Sequence, residues 1–270
     1  MLATWLQPRW EYLHYHSMSD GLPFERCGIA ENDGQIVGFI HFEDNPAFNY
    51  LQIRPGHERA TDELLDWAHS HLGGQSVTFG RKVLGLYVSD RDNYLEQRAA
   101  ERGYEPQSDI VEEHARYVID RQIGEPQLPD GFGLQSLADD NDFEKINRVL
   151  WRGFNHVGPP PDEELEGRRR AQQAPGFRKD LTIVAVAPNG EYASLSGMWT
   201  VPDNNVAYLE PVATDPNYRR MGLGTATVRE SLRRVAAEHI RTIWVGSGLV
   251  FYQDMGFSIQ NRSRLWIKGI

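Results

Sequence analysis

The sequence has few features that could cross-link the chain or place it in a membrane. Its 270 residues include one cysteine, Cys27, so neither an internal disulfide nor a zinc site made of several thiolates can form. No run of about 18 apolar residues occurs, and the first residues lack the basic and apolar segments of a signal peptide. We therefore expect a cytoplasmic protein that does not bind a membrane.

Positive charge is also scarce. The 28 Lys and Arg residues face 38 Asp and Glu residues, and the net charge of -10 argues against nucleic acid as a partner. Residues 1–122 hold 11 basic and 20 acidic groups, whereas residues 123–270 hold 17 and 18. The hydrophobic content of 40% is that of a globular protein with one or two cores.

A stretch rich in proline and glycine divides the chain. Gly124, Pro126, Pro129 and Gly131 follow a strand-like run that ends near Ile119. Such composition is typical of linkers. We therefore predict a domain over residues 1–122, a linker over residues 123–132 and a second domain over residues 133–270.

Both predicted domains show the same order of strands and helices. In the second, a hairpin over 181–201, a strand over 206–214, a helix to about His239 and a short strand at 241–245 precede a short helix at 250–255. In the first, a hairpin over 27–42, a strand at 49–53, a helix over 62–72 and a strand at 83–88 precede a helix at 92–102. This order suggests an internal duplication.

The most informative segment is the loop between the strand at 206–214 and the following helix. It contains Arg219, Arg220, Gly222 and Gly224, and it opens a helix whose first N–H groups and dipole favour bound phosphate. Thr227 stands where a dinucleotide-binding loop needs its third glycine, and no P-loop sequence occurs. Alone, this pattern would also suit a surface turn before an amphipathic helix.

A second motif, Val250-Phe251-Tyr252-Gln253-Asp254-Met255-Gly256-Phe257, follows at a suitable distance. Together the two motifs resemble the GNAT superfamily of acyl-CoA-dependent N-acyltransferases, most closely over residues 181–257. The resemblance implies an α/β (α+β) fold of two tandem GNAT-like domains, each a twisted mixed, mainly antiparallel sheet flanked by helices. It also implies acetyl-CoA as cosubstrate and no metal.

The resemblance assigns roles to particular residues. Pantetheine would pair with the main chain of Val212, Ala213 and Thr214, and Tyr252 would protonate the departing CoA thiolate. The residues implied for the pyrophosphate loop are Arg219, Arg220, Met221, Gly222, Leu223, Gly224 and Thr225. A packed tyrosine before a helix-capping glycine is the alternative for Tyr252.

An attacking amine must be neutral, so a base has to take its proton directly or through water. Glu210 is our candidate, because GNAT proteins often use a strand glutamate, although its position varies. Alternation along the strand predicts that Glu210 shares a face with Tyr208 and Val212, while Pro211 allows a bulge there. A carboxylate paired with solvent at a sheet edge is the alternative.

Two departures from the pattern bear on function. Val245 and Gly248 replace an asparagine and an alanine that many GNAT members carry before the tyrosine. The first domain lacks the paired glycines, and Glu58 in its loop would repel phosphate, so we expect a degenerate repeat without CoA. The histidine pairs at 14 and 16 and at 69 and 71 diverge on a helix, so we expect no metal.

The sequence therefore predicts an acetyl-CoA-dependent N-acetyltransferase that acts on the primary amine of a small cationic molecule in a ternary complex. The alternative is a non-catalytic acyl-CoA-binding or regulatory module. Neither nucleic acid nor membrane is expected as a partner, and the sequence is compatible with a monomer or a homodimer.

Overall fold

A computed structural model describes residues 5–270 of the chain. Its contacts divide the protein into two compact units. The first contains Trp5, residues 18–114 and residues 259–270, and the second contains residues 6–17 and 115–258. Each unit therefore includes a segment from the opposite end of the chain. The domain boundaries at 122 and 133 stay a prediction about the order of the repeats along the sequence.

The secondary structure alternates between helices and strands throughout the described residues. The helices are α1 Gln7–His14, α2 Ala60–His71, α3 Asn93–Glu101, α4 Phe143–Gly153, α5 Asp162–Ala171, α6 Leu223–Ala237 and α7 Val250–Asp254. The strands are β1 Gly28–Asn32, β2 Gln35–Phe42, β3 Phe48–Ile53, β4 Gly74–Ser76, β5 Arg81–Ser89, β6 Glu105–Val118, β7 Gly133–Ser136, β8 Ile183–Val186, β9 Tyr192–Val201, β10 Val206–Thr214, β11 Thr242–Val245 and β12 Ser258–Gly269. None of these helices is long and apolar enough to cross a membrane.

The first unit is built on a mixed sheet with the order β1–β2–β3–β5–β12. The β1–β2, β2–β3 and β5–β12 pairs are antiparallel, and β3 runs parallel to β5 over two residue pairs. The apolar residues of α2 and α3 alternate with polar ones at helical spacing, so each helix buries one face. Leu64, Leu65, Leu95 and Ala99 pack with Ile40 and Leu86 of the sheet.

The second unit has the strand order β11–β10–β9–β8–β7, and residues 115–118 of β6 flank β11. Only the β10–β11 pair is parallel. Helix α4 covers one face, where Ile146, Val149 and Leu150 pack with Leu195. Helix α6 covers the other face, and its Ser231 hydroxyl bonds to Ser196 of β9 at 2.8 Å.

Most of the predicted elements are present. The strand predicted over residues 206–214 has the predicted bounds, and the predicted helices at 62–72, 92–102 and 250–255 differ from α2, α3 and α7 by at most two residues at either end. Helix α1 was not predicted, because its sequence QPRWEYLH lacks an apolar stripe. The mixed, mainly antiparallel sheets with flanking helices confirm the expected fold class.

Candidate active site

Strands β10 and β11 separate soon after they meet. They pair only where residues 206–208 face residues 242–244, and β10 then continues alone on that side to Thr214. The main chain of Val212, Ala213 and Thr214 is therefore not paired with β11. A gap of this kind can take an extended chain that bonds to the strand as an added strand would.

A bulge interrupts β10 within this gap. Leu209 faces Met198 and Val212 faces Ser196, so Glu210 and Pro211 together lie opposite Gly197. A Cβ atom on Gly197 would meet the Glu210 carbonyl oxygen and would lie 2.9 Å from Pro211 Cδ. The close approach of the two strands at this point requires glycine.

The bulge overturns the expectation that Tyr208, Glu210 and Val212 share one face. Directly opposed residues of an antiparallel pair point to the same side of a sheet. Tyr208 faces Trp199, which packs on the α1 side, whereas Val212 faces Ser196, which bonds to α6. Tyr208 and Val212 therefore lie on opposite faces, because the extra residue reverses the alternation.

Behind the strand, a buried ion pair fixes the start of the loop. The Asp215 side chain is 2% exposed, and it accepts hydrogen bonds from Arg152 Nε at 2.5 Å and from the Asn217 N–H at 2.9 Å. Burial alone would raise the pKa of Asp215, but the bonds from Arg152 and Asn217 hold it below its ordinary value. The loop thus starts from an ionised, well-bonded carboxylate.

Arg219 fastens the loop to the end of α4. Its guanidinium donates to the carbonyl oxygen of Gly153 and to Asn155 Oδ1, both at 2.8 Å, and to the carbonyl oxygen of Thr214 at 3.2 Å. A Cβ atom on Gly153 would lie 2.7 Å from Ala213 Cβ, so glycine lets α4 end against β10. Arg219, the arginine of the motif, therefore holds the loop against the end of α4. Its neighbour Arg220 is exposed.

The loop ends at the start of α6 with free donors. Arg220 and Gly222 have φ angles of 63° and 80°, which turn the chain into the helix. Within the helix, Ala226 is the first residue that donates to a carbonyl of its own turn, that of Gly222 at 2.9 Å. The N–H groups of residues 223–225 have no such partner in α6. They could donate to the oxygens of a pyrophosphate at the N-terminal end of the helix.

Tyr252 lies on the short helix α7, and Gly256, two residues after the helix, has a φ angle of 101°. The phenol ring is 7% exposed, and it packs between Phe251 and Phe257 at centroid distances of 5.0 and 5.7 Å. Burial and, second, the charge of Glu210 raise the pKa of Tyr252 well above its ordinary value. Its hydroxyl group therefore stays protonated at neutral pH, within electrostatic range of Glu210.

Val245, a departure from the motif, and the glycine turn that follows it each have a structural role. Val245 is buried in β11, where it faces Ala115 of β6. A Cβ atom on Gly246 would lie 2.6 Å from the Tyr208 hydroxyl oxygen. The glycine turn that follows β11 therefore gives room to the phenol of Tyr208.

One group of residues beside Glu210 was missed in the sequence. Tyr12 of α1 packs edge-on against Trp199 with ring centroids 6.2 Å apart, and the Trp199 indole donates to the Glu210 carbonyl oxygen at 2.8 Å. Burial chiefly, with a smaller contribution from Glu210, raises the pKa of Tyr12 to about 12. Only the aromatic residues near the N-terminus could have drawn attention to this segment.

The paired histidines have other roles. His14 and His71 each bond through Nδ1 to the carbonyl oxygen of the residue four positions earlier, Trp10 and Trp67 respectively, at 3.0 Å. Between residues 5 and 270, no group of three or more His, Cys, Asp or Glu side chains is placed to hold a metal ion.

Comparison with known proteins agrees with this architecture. Residues 143–257 match the model of the acetyltransferase (GNAT) family. A GCN5-related N-acetyltransferase from Sphaerobacter thermophilus superposes with a TM-score of 0.66 at 15% identity, over 93% of this chain and 84% of that one. No curated protein sequence gives a significant match.

A second similar structure has a tandem arrangement. It is a tandem GNAT protein from the clavulanic acid biosynthesis pathway, with a TM-score of 0.66 and 16% identity over 97% of this chain and 94% of that one. The two structures show a shared fold. The family match over residues 143–257 supports acetyl-CoA-dependent acetyl transfer in general. Residues 143–257 therefore match the GNAT acetyltransferase family, and the fold of the chain is similar to that of GNAT proteins.

Proposed function

We propose that the protein transfers an acetyl group from acetyl-CoA to the primary amine of a small cationic molecule, by direct attack in a ternary complex. The observation that carries this proposal is the unpaired side of β10 over residues 212–214, which ends beside the start of α6. Burial and, second, the charge of Glu210 raise the pKa of the Tyr252 phenol, so a protonated phenol lies within electrostatic range of a carboxylate. Both belong to the unit that contains the free edge of β10 and the loop of Arg219 and Gly222.

The cosubstrate would be held mainly by the main chain. Val212, Ala213 and Thr214 offer the unpaired side of β10 to pantetheine, and the N–H groups of residues 220–225 surround the place for the pyrophosphate. A Cβ atom on Gly224 would lie 3.2 Å from Thr214 Oγ1, so glycine lets the strand end and the helix start approach without displacing the threonine side chain. Acetyl-CoA supplies an acetyl thioester, whose carbonyl carbon the amine attacks.

The two side chains then divide the proton transfers. Glu210 takes a proton from the ammonium group of the acceptor, directly or through water, so that nitrogen has a free electron pair. The new C–N bond forms as the C–S bond breaks, and the Tyr252 hydroxyl donates its proton to the sulfur. The nitrogen then releases its second proton through water, and this proton restores the Tyr252 hydroxyl. The negative charge of residues 1–122 favours a cationic acceptor through long-range attraction.

Calorimetric titration with acetyl-CoA and a thiol-release assay over a panel of primary amines test this proposal. We expect binding of acetyl-CoA and release of CoA with at least one cationic amine. Binding without release on any amine would favour the alternative, a non-catalytic acyl-CoA module. Absence of binding would contradict both functions.

The variant Tyr252→Phe tests the proton donor. We expect kcat to fall about 100-fold, a common size for the loss of a general acid, while the Kd of acetyl-CoA changes less than about twofold. Tyr94→Phe is the matched control, since Tyr94 is a partly exposed tyrosine at the start of α3 in the other unit. Equal kcat values in wild type and Tyr252→Phe would remove Tyr252 from the mechanism.

A further inference from the structure

The second unit contains a cavity of about 560 Å³ away from the loop and helix of the proposed cosubstrate site. It is lined by residues 119–123 at and after the end of β6, by Arg233 and Ala236 in the C-terminal part of α6, and by Arg241 just before β11. Its volume lies in the range of pockets that bind small molecules. The cavity is also open to solvent, so a ligand has access to it.

The cavity and the proposed cosubstrate site lie at opposite ends of the same elements. Helix α6 begins at the loop of Gly222, and its 15 residues span roughly 20 Å to the end that lines the cavity. Strand β11 begins beside Arg241 and pairs with β10 over Thr242–Trp244, before the two strands separate. An anion in the cavity would therefore not occupy the pyrophosphate loop.

Three guanidinium groups line the cavity, and two of them have no partner. Arg233 is paired with Glu230 at 2.8 Å and with Glu125 at 2.7 Å. Within residues 5–270, the side chains of Arg121 and Arg241 make no hydrogen bond and no ion pair. Both side chains are exposed at the cavity, so their donors are available to a ligand.

The carboxylate in the cavity does not balance these two charges. Asp120 supplies one negative charge against the two positive charges of Arg121 and Arg241, in a chain whose net charge is -10. A guanidinium group binds a carboxylate or phosphate through two parallel N–H bonds. Two such groups at one cavity therefore favour an anion with several oxygen atoms.

The cavity also has an apolar surface whose main chain is already bonded. Ile119 is 6% exposed, and its N–H donates to the Arg241 carbonyl oxygen at 2.8 Å. The Ala236 carbonyl oxygen accepts the His239 N–H at 3.1 Å, so this end of α6 needs no donor from a ligand. An apolar group that lies against Ile119 and Ala236 would leave no main-chain bond unmade.

We propose that this cavity binds a small organic anion, whose carboxylate or phosphate group is held by Arg121 and Arg241 and whose apolar part lies against Ile119 and Ala236. The inference goes beyond acetyl transfer and does not depend on it, because none of these residues belongs to the proposed cosubstrate site.

The first test locates the ligand, with phenyl phosphate as the probe. The full chain is labelled with nitrogen-15 and saturated with acetyl-CoA, so that the loop before α6 is occupied. We expect phenyl phosphate to shift the amide signals of residues 119–123 and Arg241, and to leave those of residues 220–225 unchanged. Benzoate replaces the phosphate by a carboxylate and shows which anion binds more tightly. Benzylamine has the same ring with the opposite charge and should not bind.

The second test removes the positive charges one at a time. We expect Arg121→Gln and Arg241→Gln each to raise the Kd of phenyl phosphate about tenfold, because each loses a charge-assisted pair. Arg91→Gln is the matched control, since Arg91 is an exposed arginine outside the cavity whose side chain has no bond or ion pair in the described part of the chain. It should bind phenyl phosphate within about twofold of wild type.

Unmoved signals of residues 119–123 and Arg241 at about 10 mM phenyl phosphate would overturn the inference. Equal weakening in Arg91→Gln and Arg241→Gln would also overturn it, because the net charge alone would then explain the binding. Binding of benzylamine as tight as that of phenyl phosphate would exclude the two arginines as the anion site. Failure to bind acetyl-CoA would instead contradict the proposed function, and the amide signals would still locate phenyl phosphate.

Discussion

The loops that follow β3 and β10 make a direct comparison between the two units. Each follows a strand that pairs briefly in parallel, two residue pairs for β3 and three for β10, and each leads into a helix. In the first unit the N–H of Gly56 donates to Glu58 Oε1 at 2.9 Å. In the second unit, residues 215–222 stand between strand and helix, and their one acidic residue, Asp215, is buried and paired with Arg152.

The comparison indicates that a single acidic side chain can occupy a loop that would otherwise bind an anion. The N–H of Gly56 lowers the pKa of Glu58 from its ordinary value, so the carboxylate is itself the anion bound by that loop. A phosphate would meet a negative charge where it needs a donor. We therefore expect the side chains of the loop to decide whether a phosphate can bind there.

The largest expected effect comes from breaking the ion pair between Arg152 and Asp215, which stabilises the second loop and not the first. Arg152→Ala leaves Asp215 buried with the Asn217 N–H as its remaining bond, so we expect a loss of about 2 kcal/mol in unfolding free energy at neutral pH. The measurement is urea unfolding, with Arg152→Lys as the control that keeps the charge.

Acidification gives this prediction a second check. The folded pKa of Asp215 is lowered, so its stabilisation is present above the unfolded value of about 3.9 and is lost as pH falls through the folded value. Arg152→Ala should therefore lose less stability than wild type on acidification. An equal acid-induced loss in both proteins would mean that the pair does not stabilise the loop.

The next variant introduces into the second loop an acidic side chain like that of Glu58 in the first loop. Met221 is 39% exposed beside Gly222, and Met221→Glu places a carboxylate near the N–H groups as Glu58 does. We expect acetyl-CoA to bind about tenfold more weakly, and less so at high salt, because repulsion between charges is screened. Met221→Gln has the same shape without the charge and should bind within about twofold of wild type, by calorimetry.

The buried tyrosines should also make the folded protein ionise at higher pH than the unfolded chain. Burial raises the pKa values of Tyr12 and Tyr192 to about 12, so at about pH 11 the folded chain should carry fewer phenolates than the unfolded chain. Ultraviolet titration with and without urea measures this difference in the number of phenolates, and Tyr12→Phe should reduce the difference by one.

The sign of the stability change follows from the same pKa values. A raised folded pKa means that the contribution of the phenol is present below about pH 10 and is lost as pH rises to about 12. The same number of phenolates in the folded and unfolded chains at about pH 11 would contradict the buried position of Tyr12.

The smallest expected effect is in the first loop. Glu58→Gln removes the carboxylate of a fully exposed side chain, but the loop still lacks the paired glycines and arginines of the second. We expect calorimetry to give one acetyl-CoA per chain in both wild type and Glu58→Gln. A second binding event in the variant would show that Glu58 alone closes the first unit to the ligand.

Much of the second unit could be predicted from sequence because its signals are local. The bounds of β10 and the positions of Gly222, Gly224 and Gly256 follow from turn and helix-start rules that involve neighbouring residues. The face of Glu210 could not be predicted in this way. The bulge at Glu210 and Pro211 depends on Gly197 of another strand, and it reverses the alternation between Tyr208 and Val212.

The sequence by itself determined the fold class, the glycine–arginine loop before α6 and the tyrosine of α7, because each is a pattern of residues within one or two turns of chain. The tertiary structure alone decided that Arg219 bonds to the end of α4, that Asp215 is paired with Arg152, and that α1 brings Tyr12 against Trp199. Those contacts join residues far apart in the chain, and their energy depends on burial and charge that only packing creates.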